Sequence, residues 1–437
     1  MLTILGLSMI TVFTILIMSN RMTSFTALTL VPLLFALIAG FGTQVDTMML
    51  EGIKGVASSA AFLLFALLFF GIMIDAGLFD PLIKKVLKTV KGDPVKIAIG
   101  TAVLTALVAL DGDGTTTFMI VVSSMLPLYK RINMNPLILA TTSMLSFSIV
   151  SGLTPWGGPA VRSLSVLGFD QTEFFVPLIP TLIGGVVWVV FLAYVLGKAE
   201  RKRIGVIDVS VIEGFEKNEE LAATIEQNDI TRPKLIWVNL FLTIAVMTAL
   251  ISGIMEAATL FLIGAVVAMM INYPSIEQQK NRIKAHASNA ITVILVVFAG
   301  GAFAGILEGT KMVDALAGSL VSIIPDSWNG LFPVIVGLVS IPFNFAMSND
   351  AYYFGVVPVL AETAVVYGID PIQVVRAAVL AQPVHFLLPL VSSTILLIGM
   401  LNLEIGSYLR FALKWSVLTS LVLIVLALIT GGISISL

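Results

Sequence analysis

Fourteen apolar windows, seven in each half, leave this chain few environments in which it can fold. They fall at about 3–18, 23–42, 57–74, 95–110, 115–129, 136–168 and 172–197. After a polar linker they resume at about 235–254, 257–272, 288–307, 330–346, 351–367, 371–400 and 406–431. A span of roughly 20 apolar residues crosses the roughly 30 Å of a bilayer's hydrocarbon core. Backbone polar groups there must be satisfied within the segment, so each window reads as a helix. Only 11% of the 437 residues are charged, against roughly 25% in a soluble domain. The expectation is an all-α membrane protein with the lipid bilayer as its solvent. A net charge of −2 gives no reason to expect nucleic acid, and the absence of cysteine excludes disulfides and thiolate metal sites.

Two polar clusters interrupt this pattern half a chain apart. The first is Asp111-Gly112-Asp113-Gly114-Thr115-Thr116-Thr117; the second is Asn344-Phe345-Ala346-Met347-Ser348-Asn349-Asp350. Carboxylates and unwound backbone are expensive in lipid, so each cluster reads as the tip of a re-entrant helical hairpin facing a polar cavity. The hairpins are expected at about 95–131 and 330–367. Long helices come next, at about 136–168 and 371–400, broken at Ser151-Gly152-Leu153-Thr154-Pro155-Trp156-Gly157-Gly158-Pro159 and at His385-Phe386-Leu387-Leu388-Pro389-Leu390-Val391-Ser392-Ser393-Thr394. Landmarks recur at nearly constant separation: Asp113 to Asp350, Asn135-Pro136 to Asp370-Pro371, Pro155 to Pro389. With hairpins counted as non-crossing, each half has five spans, and halves related by an odd number are inverted. The division is 1–197, a linker 198–234 and 235–437, each half carrying a hairpin and a broken helix.

Lys and Arg concentrate in cytoplasmic loops. Placing the linker inside puts 20 of the 24 basic residues on that side, leaving Lys54, Arg162, Lys311 and Arg376 elsewhere. Both termini then lie outside. The linker itself, rich in mixed charge, reads as a solvated connector, and His286 is expected in a cytoplasmic loop.

Half-helices ending at a midplane cavity aim positive N-terminal dipoles at anions and free carbonyls at cations. The N–H and hydroxyl groups of Thr115, Thr116 and Thr117 suit carboxylate oxygens. Gly112, Gly114, Gly157 and Gly158 allow close backbone approach. Several residues have two readings. Asp111 and Asp113 serve as metal or proton ligands, or cap the second arm. Asp350 binds a proton or caps its helix. Arg162 pairs with a substrate carboxylate bidentately or forms a salt bridge. Arg376 is expected to partner Glu362 or Asp370. His385 titrates in the working range or is structural. Trp156 packs on substrate or shapes the break. An intramembrane aspartyl protease needs a Gly-x-Gly-Asp frame, which Leu110-Asp111-Gly112-Asp113 does not provide, so an enzyme is not expected. A channel is the other alternative, set apart by whether uptake saturates.

The run Lys91-Gly92-Asp93-Pro94, then Leu110 to Thr116, resembles the bacterial citrate–divalent metal:proton symporter family. So do Met125-Leu126-Pro127-Leu128-Tyr129-Lys130-Arg131, Asn135-Pro136 and Pro155-Trp156-Gly157-Gly158-Pro159. The likeness runs from the first helix through the last. It implies a secondary transporter of the cell membrane, a homodimer with a scaffold domain and a mobile, elevator-like transport domain holding two opposed hairpins. The implied cargo is citrate complexed with a divalent cation, taken up with protons. The metal travels as part of the substrate, and no resident cofactor is implied. Free citrate, a dicarboxylate or a hydroxy acid on the same fold is the alternative cargo. On this reading the substrate site comprises Gly112, Asp113, Gly114, Thr115, Thr116, Thr154, Pro155, Trp156, Gly157, Gly158, Arg162, Ser348, Asn349, Asp350, His385, Ser392, Ser393 and Thr394. Asp111 and Asp113 face the metal, and Asp113, Asp350 and His385 carry protons. That family belongs to a wider superfamily of ion-coupled anion transporters, and Ser348-Asn349 is similar to the Ser-Asn-Thr tip of its dicarboxylate branch, with Asp350 in place of Thr.

Overall fold

A computed structural model describes residues 1–19, 21–90, 92–205, 230–324, 326–388 and 391–435. Most of the linker expected at 198–234, and the second break's Pro389 and Leu390, lie outside the described residues. Among the described residues the chain is helical, with no strand. Eight helices among the described residues are long and apolar enough to cross a membrane. Leu2–Met18, Ser24–Ile38 and Ala257–Asn272, which the sequence also assigns as spans, are shorter apolar helices.

Three helices lie outside the apolar windows: Val45–Gly55, Asp80–Val90 and Met312–Val321. The window expected at 288–307 is part of a 34-residue helix, Ile276–Gly309, roughly 51 Å long at about 1.5 Å per residue. Ser275 caps it by accepting from the Gln278 N–H. The Glu, Gln, Lys and Arg residues of its first turns are good helix formers with no Gly or Pro among them. His286 therefore sits on a helix, not in the loop expected for it. Its Nε2 lies 2.8 Å from Asp75 Oδ2, and Arg282 Nη1 lies 3.1 Å from the same oxygen.

Packing sorts the helices into two groups. In one, Pro94–Val108 crosses Ile179–Ile204 and both pack on Pro136–Leu153, while Ile405–Thr430 packs on Ile179–Ile204 and Pro136–Leu153, with Phe332–Ala346 and the second broken helix alongside. In the other, Ile276–Gly309 collects Ser24–Ile38, Val45–Gly55 and Ala57–Asp75, while Leu2–Met18 packs on Met312–Val321. Small residues bring backbones together here, as expected where lipid offers no hydrophobic drive. A Cβ on Gly52 would lie 2.0 Å from the Gly301 carbonyl oxygen. Gly158–Leu167, just after the first break, packs against helices of both groups.

Arg376 departs from expectation. Its Nη2 donates to the Glu173 carbonyl at 2.6 Å and its Nη1 to the Gly432 carbonyl at 3.4 Å. It ties two distant stretches of chain by their backbones instead of pairing with Glu362 or Asp370.

Candidate functional site

The first hairpin arm, Pro94–Val108, tightens into a 3-10 turn over Ala109–Asp111 and reverses at Gly112, whose φ of +76° favours glycine. Asp113 then caps Gly114–Arg131. Its carboxylate accepts from the N–H groups of Thr115 (3.2 Å) and Thr116 (3.0 Å) and from the Thr116 hydroxyl (2.6 Å). Three of the donors expected to meet a substrate carboxylate are thus taken by the chain's own aspartate. Asp111 is buried and braces the turn from beneath, accepting from Asp113 N–H at 3.0 Å.

At the first break, Pro136–Leu153 stops at an extended Thr154 and the chain restarts as Gly158–Leu167. The Trp156 indole donates to the Leu110 carbonyl at 2.8 Å and packs on Phe70 with centroids 4.9 Å apart. It is buried, so it shapes the break and fastens it to the first tip; Gly112 lies against its ring. A Cβ on Gly157 would fall 1.7 Å from the Ser151 carbonyl oxygen, so the turn admits only glycine. Gly158 leaves room for Arg162 Nη1. Thr154 and Pro155 are buried in the same turn.

The second arm, Phe332–Ala346, ends at Met347. Ser348 caps the next turn of the chain, its hydroxyl accepting from Ala351 N–H at 3.2 Å. A π-helical turn, Ala351–Val356, leads into Val357–Val366. Asp350 makes no capping bond. Its Oδ1 takes Arg162 Nε at 2.5 Å and its Oδ2 accepts from the Ser24 hydroxyl. Both partners of the ion pair are mostly buried, with side chains 19% and 15% exposed. Among the described residues only Nε of Arg162 is engaged, which leaves both Nη groups as an open fork.

The second broken helix is interrupted more than once, running as Ile372–Val379, Gln382–His385 and Ser392–Met400. His385 is buried with Nδ1 3.3 Å from the Asn344 carbonyl oxygen. The Thr394 hydroxyl donates to the Phe386 carbonyl at 2.7 Å. Ser392 is exposed; Ser393 is buried against Gly114.

The elements meet crosswise. The helix after the first break holds the second tip through Arg162 and Asp350. The second break reaches the first tip through Ser393 and Gly114, where a Cβ on Gly114 would lie 2.7 Å from Ser393 Oγ. Gly152 and Gln382 join the broken helices, a Cβ on Gly152 falling 3.0 Å from Gln382 Cβ. Sequence reasoning missed Gln382, Tyr353 and Ser24, and named Asn344 only as part of the second polar cluster. Gln382-Pro383 inside an apolar run is a legible signal for the first; Ser24 carries none. Two clefts of about 400 Å³ each open where Gly158–Leu167 ends, both lined by Leu167, Glu308 and Lys311. Among the described residues no group of three or more His, Asp or Glu side chains is placed to hold a metal ion.

The citrate transporter family model matches residues 13–381. This chain belongs to the citrate transporter family. It is 61% identical to an uncharacterized transporter, YraO, of Bacillus subtilis, over all of both chains. It is 52% identical to a citrate transporter of the same organism, over 99% of this chain and 100% of that one. A third Bacillus subtilis relative, a Mg(2+)/citrate complex secondary transporter, is 51% identical over the full length of both. Among solved structures, the YdaH transporter of Alcanivorax borkumensis matches with a TM-score of 0.56 at 13% identity, covering 90% of this chain and 89% of that one. That likeness concerns the fold alone. Family membership and the apolar helices make this a multi-pass membrane transporter, not an enzyme.

Proposed function

We propose that this protein imports citrate complexed with a divalent cation of the Mg²⁺ or Ca²⁺ class, together with protons. The observation that carries the reading is the Arg162–Asp350 pair, which offers an open guanidinium fork where one break meets the opposite tip. A planar fork matches a carboxylate bidentately. The full-length relatives named for citrate and for Mg(2+)/citrate support this cargo.

The charge accounting fits. Trivalent citrate with a divalent cation is a monoanion, and carrying it inward against ~100 mV costs ~2.3 kcal/mol. One proton cancels that cost; a second makes the potential drive uptake. Mg²⁺ and Ca²⁺ prefer oxygen ligands, and Mg²⁺ keeps several waters, so citrate and water supply most of the shell. In this reading the partly exposed Asp113 faces the metal side of the complex, with Asp111 behind it. Asp350 takes a proton as a citrate carboxylate replaces it on Arg162, and His385 lies next along the path.

The crosswise contacts support two inverted repeats, 1–197 and 235–437, with the tips in a common chamber. The two packing groups support a scaffold and a mobile transport domain; the homodimer rests on the family resemblance alone. With the linker cytoplasmic, the clefts beside Glu308 and Lys311 face outward and give the approach route.

The test is uptake of labelled citrate into proteoliposomes across Mg²⁺, Ca²⁺ and Mn²⁺ under an imposed pH gradient. Saturable uptake, abolished by a chelator and collapsed by a protonophore, is the expected result. Uptake indifferent to both metal and pH would sink the reading.

A further inference from the structure

The stretch that starts at Asp350 is docked on three helices from outside its own hairpin. A Cβ on Gly300 would run into the Phe354 ring, so the ring lies against the bare backbone of Ile276–Gly309. Ile10 of Leu2–Met18 closes over Gly355 in the same π-helical turn, whose residues Ala351 to Gly355 are buried. Those two contacts are apolar and indifferent to charge. The third is polar: the hydroxyl of Ser24, the first residue of Ser24–Ile38, donates to Asp350 Oδ2. Ser24 is not spent on its own helix, because Thr23 is the cap and accepts from the Thr26 N–H at 3.3 Å. The positive end of that helix adds to the attraction for a carboxylate. Among the described residues, the other charged or titratable side chains that act on Asp350 are Arg162, from Gly158–Leu167, and His385, from the second broken helix. Leu2–Met18 and Ser24–Ile38 contain none, and Ile276–Gly309 presents Gly300 here.

We propose that Ser24 is a positioning residue for the proton step, linking the charge of Asp350 to the docking of the second hairpin on Leu2–Met18, Ser24–Ile38 and Ile276–Gly309. The inference rests on the reading of Asp350 as a proton site. A hydrogen bond to a carboxylate is roughly twice as strong as one between neutral groups, and it favours the charged form. Docking and protonation of Asp350 therefore oppose one another, and by linkage each weakens the other by the same factor. While Asp350 is ionised, Ser24 holds the hairpin in place. Once a citrate carboxylate has taken Arg162 and a proton has taken Asp350, the polar tether is weakened and the apolar contacts are left to hold the turn. A ligand shifts an equilibrium only through a difference in affinity between the two states. Ser24 supplies that difference for the proton, on the carboxylate oxygen that Arg162 does not use.

The test has one arm without citrate and one with it. In the first, Ile10→Cys and Gly355→Cys are introduced together into the full-length protein, which has no cysteine of its own, and the rate of disulfide cross-linking is measured on purified protein across pH. Ser24→Ala is compared with Ser24 at each pH, so the titration of the thiols themselves cancels. Ser24→Ala should slow cross-linking at least threefold at alkaline pH, and the two rates should converge at acid pH. Ser24→Thr, which keeps the hydroxyl, should follow Ser24. In the second arm, citrate uptake by Ser24→Ala should reach its half-maximal response at a proton concentration at least threefold lower than in the wild type, and Ser24→Ala should add nothing to Asp350→Asn. Cross-linking that ignores Ser24→Ala, or is slowed equally at every pH as a merely structural serine would give, would overturn the proposal. So would an unmoved pH response of uptake. Because the first arm contains no citrate, uptake without any pH response would fail the proposed proton coupling while the cross-linking stays readable, and pH-blind cross-linking beside proton-driven uptake would sink the role of Ser24 alone.

Discussion

Two carboxylates of the tips are used in opposite ways. Asp113 commits its oxygens to its own helix, whereas Asp350 commits its oxygens to side chains from distant parts of the chain. The difference has energetic weight. Losing an N-cap costs about 1 kcal/mol. Removing one partner of a buried ion pair costs ~3–5 kcal/mol, because the other charge is left uncompensated. A substrate carboxylate on Arg162 with a proton on Asp350 removes the partner without that penalty. Asp350→Asn mimics the protonated state, so citrate uptake by that variant should lose its response to an imposed pH gradient; a wild-type response would reject Asp350 as the proton site. Asn is as good a cap as Asp, so Asp113→Asn isolates charge from structure. It should lower metal-dependent uptake at least tenfold at unchanged membrane expression, and ordinary kinetics would remove Asp113 from the metal's side.

At the scale of elements, the apolar helices, both interrupted segments and the two polar tips are legible in the sequence, because apolar windows and Gly-Pro punctuation act locally; Val45–Gly55, Asp80–Val90 and Met312–Val321, outside those windows, are not. Gly157 shows why: its lack of a side chain is dictated by the Ser151 carbonyl within the same turn. Gly157→Ala should therefore lower thermal stability by about 1–3 kcal/mol, as overpacking does, or abolish expression. An unchanged melting profile in detergent would contradict that geometry. What the sequence could not reveal is which donors are already engaged. Thr115 and Thr116 look free in a string of letters and are occupied by Asp113 in space. Arg162 has two readings in sequence, and its partner Asp350 lies 188 positions away. His286 misleads for another reason: polar helix formers extend an apolar helix past the membrane without a break that composition can mark.

At the scale of the whole molecule, the group around Ile276–Gly309 meets the chain beyond the second tip where Leu2–Met18 packs on the π-helical turn, Ile10 Cγ2 lying 3.3 Å from a Cβ built on Gly355. The chain has no native cysteine, so a pair placed at Ile10 and Gly355 would be the sole thiols. Cross-linking them should arrest citrate uptake, with recovery on reduction; full activity while linked would exclude relative movement of the groups there. A single cysteine between Lys198 and Lys234 should be shielded from an impermeant reagent in intact cells, and labelling would invert the topology.

The crosswise bracing also limits how such a protein can be recombined. A chimera joined at the linker would inherit Arg162 from one parent and Asp350 from the other, and Gly114 and Ser393 likewise. Neighbours that have drifted in concert would then be parted at both seams. A viable hybrid must take each tip and the break of the other half from the same parent, so the unit of inheritance is a diagonal and not a half.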